Sequence, residues 1–227
     1  MTSIKITEEA SPKPSIDDLL RLGIRNGSYV PSQRLVEIDL MNQLGGSQRQ
    51  VRAALQRLEL EGLVKIEKNR GATVRKVTHE EVSCIFDLLD SLSLLAIRKI
   101  SENILDINVK STIKESLKVA RTFRESSATE LRLKKYHEEN IRFWDSIASV
   151  VKNPFLWETR ERLQSLLYCF QGHGLTINSN PNNWIDHHEE ILEAILDNDP
   201  DLACKLLIEA NTKIREAVLQ LDESVFR

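Results

Sequence analysis

Apolar residues recur at spacings of three and four along most of this chain, and the pattern breaks at a few points rich in Gly, Asn and Pro. Residues 1–14 lack the period. They hold Pro12 and Pro14 among Ser, Thr and Glu, and read as a disordered lead. SIDDLLRLGIRNGSYVP follows, with Ser15 placed to cap a helix and Asp17 and Asp18 in its first turn, where the helix dipole favours anions. Ile16, Leu19, Leu20 and Ile24 form its apolar stripe, and Asn26-Gly27 ends it. LVEIDLMNQLGG predicts a second short helix, with Leu40 and Leu44 inward and Gly45 as the stop.

SQRQVRAALQRLELEGL predicts a third helix. Ser47 and Gln50 form an S-x-x-Q capping box, in which each side chain satisfies an orphan N–H of the first turn. Val51, Leu55 and Leu58 keep one face apolar, so Gln48, Arg49, Arg52 and Gln56 project elsewhere. Gly62 ends the helix. LVKIEKNRGATVRKV then alternates apolar and polar residues around KNRG and reads as a short β-hairpin. From residue 78 the period is helical to the end. Thr78 and Glu81 make a second capping box, and further amphipathic stretches fall at about 108–125, 129–152, 154–175, 183–197 and 199–222. Six helices with short connections imply an antiparallel bundle, and 172–183 is its one long loop.

Charge changes this picture. The chain carries a net −3, but residues 1–78 hold 13 Lys and Arg against 9 Asp and Glu, and residues 79–227 hold 18 against 25. A basic N-terminal third on an acidic body points to a local polyanion-binding module. The excess sits in residues 45–76, with eight Lys or Arg against three carboxylates. Cys84, Cys169 and Cys204 are scattered, with no CxxC pair. Cys84 and Cys204 lie in apolar helical contexts and read as buried free thiols of a reducing, cytoplasmic compartment. No run of 18 apolar residues predicts a membrane span, and the N-terminus lacks the apolar core of a secretory signal.

Three short helices and a hairpin, with basic residues on the third helix and the turn, describe a winged helix-turn-helix. A capped helix N-terminus can aim N–H groups and side chains into the major groove, where Arg pairs with guanine and Gln with adenine. The hairpin tip, Lys68-Asn69-Arg70-Gly71, can reach the adjacent backbone or minor groove. The string RLVEIDLMNQLGGSQRQVRAALQRLELEGLVKIEKNRGATVRKVTHEEV resembles the GntR superfamily of bacterial transcription regulators over about 50 residues. Leu35, Glu37, Leu40, Leu44, Gly45, Ser47, Val51, Arg52, Leu55, Leu58, Glu61, Gly62 and the Arg70-Gly71-Ala72-x-Val74 wing match its pattern. The match departs at Gln48, Arg49 and Gln50, which stand where the family has R-T-P, and at Ala53, which stands where it has Glu. The resemblance implies DNA contacts from Arg34, Ser47, Gln48, Arg49, Gln50, Arg52, Lys68, Asn69, Arg70 and Gly71, with an altered operator.

FWDSIASVVKNPFL and DHHEEILEAILDNDPDLA resemble the FadR-like branch, whose C-terminal domain is an all-helical effector-binding bundle of FCD type. Many members hold a divalent metal there through an Asp, a His four residues later and two further His. Those positions are Asn140, Trp144, His188 and Ala210 in this chain, so one ligand of four is kept and no metal is expected. His187, His188 and His137 could form a fresh metal cluster, but neighbouring helical residues diverge by about 100°, which argues against it. An Arg and a Glu that the branch often carries on its first bundle helix fall at Leu89 and Ser93. The effector pocket that the resemblance implies is therefore Leu89, Ser93, Asn140, Trp144, His188 and Ala210. An apolar, aromatic or acyl ligand would suit it, or else Trp144 fills the vacated space as core.

The fold expected is mainly α: a disordered lead over 1–14, a winged helix-turn-helix over 15–77, and an all-helical effector-binding and dimerisation domain over 78–227. The function expected is that of a homodimeric, cytoplasmic transcription repressor on a palindromic double-stranded operator, controlled by a small metabolite, without cofactor, metal or membrane partner. The alternatives are a winged-helix protein acting through protein–protein contacts without a specific operator, and a metal-independent ligand-binding protein. No nucleophile elbow, P-loop, H-E-x-x-H or Gly-rich dinucleotide loop occurs, and no His has a Glu three residues before it, so an enzyme is not expected.

Overall fold

The computed structural model describes residues 14–25, 27–68, 70–125, 132–171, 181–223 and 226. The chain divides into two compact units, Met1–Arg75 and Lys76–Arg227. The first holds α1 (Ile16–Arg25), β1 (Arg34–Leu35), α2 (Glu37–Leu44), α3 (Gln48–Glu61), β2 (Val64–Glu67) and β3 (Gly71–Val74). The strands form an antiparallel sheet in the order β1-β3-β2, with Arg34 opposite Thr73 and Val64 opposite Val74.

The capping box opens α3: the Ser47 hydroxyl accepts from the Gln50 N–H, and the Gln50 side-chain carbonyl accepts from the Ser47 N–H at 3.0 Å. Gly62 closes the helix at a φ of 81°, left-handed backbone that glycine adopts without a Cβ clash. Leu20, Leu40, Val51, Leu55 and Leu58 are buried, and α3 packs on both α1 and α2. Gly46 lets α1 come close, since a Cβ there would lie 2.2 Å from Ile16 Cδ1. Two ion pairs tie α1 to α3. The Arg21 guanidinium donates twice to Glu61, both at 2.7 Å, and Arg57 reaches Asp17 at 2.8 Å.

The reading of LVEIDLMNQLGG as helix throughout is corrected at its start. Leu35 lies in β1, paired to Ala72 and buried, and the helix begins at Glu37. A two-residue strand is too short to show a period of its own; only its partner on β3 reveals it.

The second unit holds α4 (His79–Ser101), α5 (Ile107–Glu125), α6 (Arg132–Val150), α7 (Pro154–Gln171), α8 (Pro181–Leu196) and α9 (Pro200–Leu219). Thr78 and Glu81 form the expected capping box at the start of α4. In this bundle α5 packs on α6 and α8, and α9 on α4 and α8. Pro181 and Pro200 each stand at a first helical position, where the missing N–H costs nothing. The expected loop over 172–183 is thereby shortened, since Pro181 already begins α8; residues 172–180 lie outside the described residues.

Among the described residues, the bundle shows two apolar clusters. The larger joins Ile97 and Ile100 of α4, Ile113 of α5, Phe143 and Ile147 of α6, and Leu192 and Ile195 of α8. The smaller gathers Val77, Val82, Phe86 and Leu89 with Leu167, Phe170, Val218 and Phe226. Phe226 is 1% exposed, stacks on His79 with ring centroids 3.6 Å apart, and its carbonyl accepts from Lys76 Nζ at 2.8 Å. Of the two thiols read as buried, Cys204 is and Cys84 is not: Cys84 falls on the outward face of α4.

Candidate nucleic-acid interface and ligand cavity

The first turn of α3 presents Ser47, Gln48, Arg49 and Gln50 at the surface, and Arg52 follows one turn along. Their roles differ. The Gln50 side-chain carbonyl accepts from both the Ser47 N–H and its hydroxyl within the capping box. Gln50 thereby also positions the helix start, while its Nε2 amide group is not used by the cap. Glu37, at the first position of α2, accepts from Gln48 Nε2 at 2.9 Å and from Arg52 Nε at 2.8 Å. Hydrogen bonds from Arg52 and then Gln48 hold the Glu37 carboxyl below its ordinary range, and the same contact raises Arg52. Arg49 makes no hydrogen bond or ion pair among the described residues and stands fully outward.

On the hairpin, Glu67 accepts from Lys65 at 2.9 Å and pairs with Arg70 at 3.6 Å; Lys65 is the larger cause of its lowered pKa. Lys68 has no such partner among the described residues, and Asn69 lies outside them. Gly71 turns the strand at a φ of 82°, and a Cβ there would stand 3.9 Å from Arg34 Nε. Strand β1 thus carries Arg34 to the wing, although it lies far before Gly71 in sequence. Arg57, counted among the basic residues of the third helix, instead serves α1 through Asp17.

In the second unit, Leu89, Ser93, Asn140, Trp144, His188 and Ala210 line one cavity of about 60 Å³. The structure thus brings all six positions together from α4, α6, α8 and α9. It adds Arg160 and Gln164 of α7, which sequence reasoning missed. The Arg160 guanidinium lies over the Trp144 ring, 3.4 Å from its centroid, and is 8% exposed. A signal existed: Leu156, Arg160 and Leu167 fall on one face of α7, and an arginine on a buried stripe is costly unless it is used. The expected apolar cavity is corrected accordingly, because a buried cation and several amides share its wall.

His188 Nδ1 meets Glu139 Oε2 at 2.5 Å, and its ring stacks on Phe143 at 4.0 Å. His187 turns to Glu190 at 3.5 Å and Lys213 at 3.2 Å, so the adjacent imidazoles serve different partners. The His137 side chain lies outside those described. A metal ion does not fit these residues. Among the four positions only His188 offers a good ligand atom, and the Trp144 indole with its guanidinium cover occupies the space.

The fold and the two sites define a class: a winged helix-turn-helix protein with an all-helical, cavity-bearing second domain. The model of the FCD domain matches residues 84–210, more than half of the chain, and that of bacterial regulatory proteins of the gntR family matches residues 12–74. The chain belongs to the GntR family of bacterial regulators, in the branch that carries an FCD domain. Among solved structures it is similar to McbR/YncC of E. coli, with a TM-score of 0.70 and 22% identity over 90% of this chain and 95% of that one. It is also similar to a GntR transcriptional regulator from Rhodococcus sp. RHA1, with a TM-score of 0.68 and 21% identity over the same shares. A curated relative, the uncharacterized HTH-type transcriptional regulator YdhC of Bacillus subtilis (strain 168), is 31% identical over 78 residues. That match spans 34% of this chain and 35% of the relative. The matched families are regulators, not enzymes, and no described helix is long and apolar enough to cross a membrane.

Proposed function

We propose that this chain is a sequence-specific DNA-binding repressor of transcription, acting in the cytoplasm as a homodimer and released or retained by a small metabolite in the cavity of its second unit. The observation that carries this reading is the start of α3. A capped helix N-terminus presents Gln48, Arg49 and Arg52 outward while Glu37 fixes two of the three in place. Ordered donors on a capped helix suit the major groove, and Lys68 and Arg70 on the hairpin supply the flanking phosphate contacts.

Two copies would read a palindromic site. Leu88 and Leu95, seven residues apart on α4 and 53% and 43% exposed, offer an apolar face for a second copy. Ligand in the cavity would act by linkage, binding one placement of the winged domains better than another. A gel shift of the full chain against genomic fragments in moderate salt tests the reading. One or more fragments should bind at least about a hundredfold more tightly than random DNA of equal length. If every fragment binds as random DNA does, the protein-contact alternative takes its place.

A further inference from the structure

Resting on the sequence-specific reading just given, we propose that Glu37 locks the amide of Gln48 with its oxygen toward DNA. Gln48 then selects an amino base, adenine or cytosine, over a keto base, guanine or thymine. The contact itself supplies the direction. Gln48 Nε2 donates to Glu37 Oε2 at 2.9 Å. An ionised carboxylate only accepts, so the amide oxygen cannot take the nitrogen's place there without two acceptors meeting. A glutamine with no such partner can turn its amide over and read either class of base.

The lock is itself held. Arg52 Nε donates to both oxygens of Glu37, at 2.8 and 2.9 Å, and Glu37 stands at the first position of α2. Gln48 and Arg52 lie four apart on one face of α3, and Gln48 is exposed at its capped N-terminus. In the major groove adenine shows the amino group N6 and cytosine N4, whereas guanine shows the oxygen O6 and thymine O4. A fixed amide oxygen accepts from either amino group and meets another acceptor at either keto oxygen. The second N–H on Nε2 can add adenine N7, which strengthens the same preference. Guanine carries N7 as well, but its O6 then faces the amide oxygen, and a desolvated acceptor without a donor is costly.

The test begins by enriching a site for the full chain from a library of random double-stranded oligonucleotides. Gln48→Met then marks the base position at which preference disappears, and all four bases at that position are compared by fluorescence anisotropy. The expected result is that adenine and cytosine each bind at least about fivefold more tightly than guanine or thymine. Replacing the chosen base by its analogue without the amino group, purine for adenine or 2-pyrimidinone for cytosine, should cost the unaltered chain the same factor. Glu37→Gln keeps the shape of the partner but lets it donate, so the difference between amino and keto bases should fall to within about twofold. A purely structural role for Glu37 would lower affinity for all four bases alike. A keto base at the marked position, no loss on removing the amino group, or an unchanged ratio in Glu37→Gln would overturn the inference. The analogue comparison uses the unaltered chain, so it stands even if a variant does not fold. An enriched site with a keto base at the marked position refutes the base preference alone. A library from which no site is enriched refutes the sequence-specific reading and the base preference with it.

Discussion

Gln48 and Arg49 stand side by side, yet the structure assigns them different freedom. Gln48 is held by Glu37, and Arg49 reaches into solvent. A side chain already fixed loses little entropy on docking, whereas a mobile arginine adapts to the base or phosphate it meets. Arg49→Ala should cost about 1–3 kcal/mol of operator affinity and relax preference at one base position, read by binding to a library of single-base operator variants. Lys68→Ala should instead weaken all sequences alike and lower the salt slope by about one.

The Glu37 latch also fixes a pH window. Its carboxyl is depressed by Arg52 and Gln48, so its contribution is complete above the unfolded value and fades only as pH falls through the lower folded value. Operator preference should therefore hold unchanged from pH 8 to about 5 and fail only below the ordinary carboxylate value of about 4.3, as followed by fluorescence anisotropy. The capping box at Ser47 and Gln50 was legible from spacing alone, because both partners lie within one turn. The hold of Glu37 was not, because it joins residues 11 and 15 apart on separate helices.

Elements reveal themselves in sequence when their apolar period is long enough to count. The helices from α4 onward show this, and so does α3 with its Gly62 stop. Strand β1 has two residues and no period; it exists because Leu35 finds Ala72. Arg160 was hidden for the opposite reason. Its helix is plain in the sequence, but the family pattern marks cavity positions on other helices and none on α7.

Close approach within an element pair is likewise invisible until the backbone is placed. Gly23, in the last turn of α1, faces the Tyr29 ring, and a Cβ there would lie 2.4 Å from Cδ2 and Cε2. A ring is bulkier than a methyl tip and cannot simply swing aside. Gly23→Ala should destabilise the first unit by about 1–3 kcal/mol, measured as a shift in its urea midpoint with the slope unchanged.

On the scale of the whole molecule, positive charge is concentrated where nucleic acid would be met, and the body is acidic. Raising salt should accordingly weaken DNA binding steeply, read as the slope of log affinity against log salt. The exposed leucines of α4 belong to this scale too. Leu88→Glu with Leu95→Glu should convert a dimer to a monomer in light scattering and leave the helical signal unaltered. A mass unchanged by the pair would place the partner surface elsewhere.

The second unit closes on itself through Phe226. Its ring is buried among residues of α4 and α7, and its carbonyl is bound by Lys76, the residue that opens the unit. The two ends of residues 76–226 therefore meet within a side chain's reach. A short Gly-Ser bridge from 226 back to 76, with new ends cut between Ile104 and Asp106, would leave every helix of the bundle whole. Such a circular permutant should fold and melt cooperatively, because connectivity at that corner is a convenience of the chain and the packing around Phe226 is what the bundle requires.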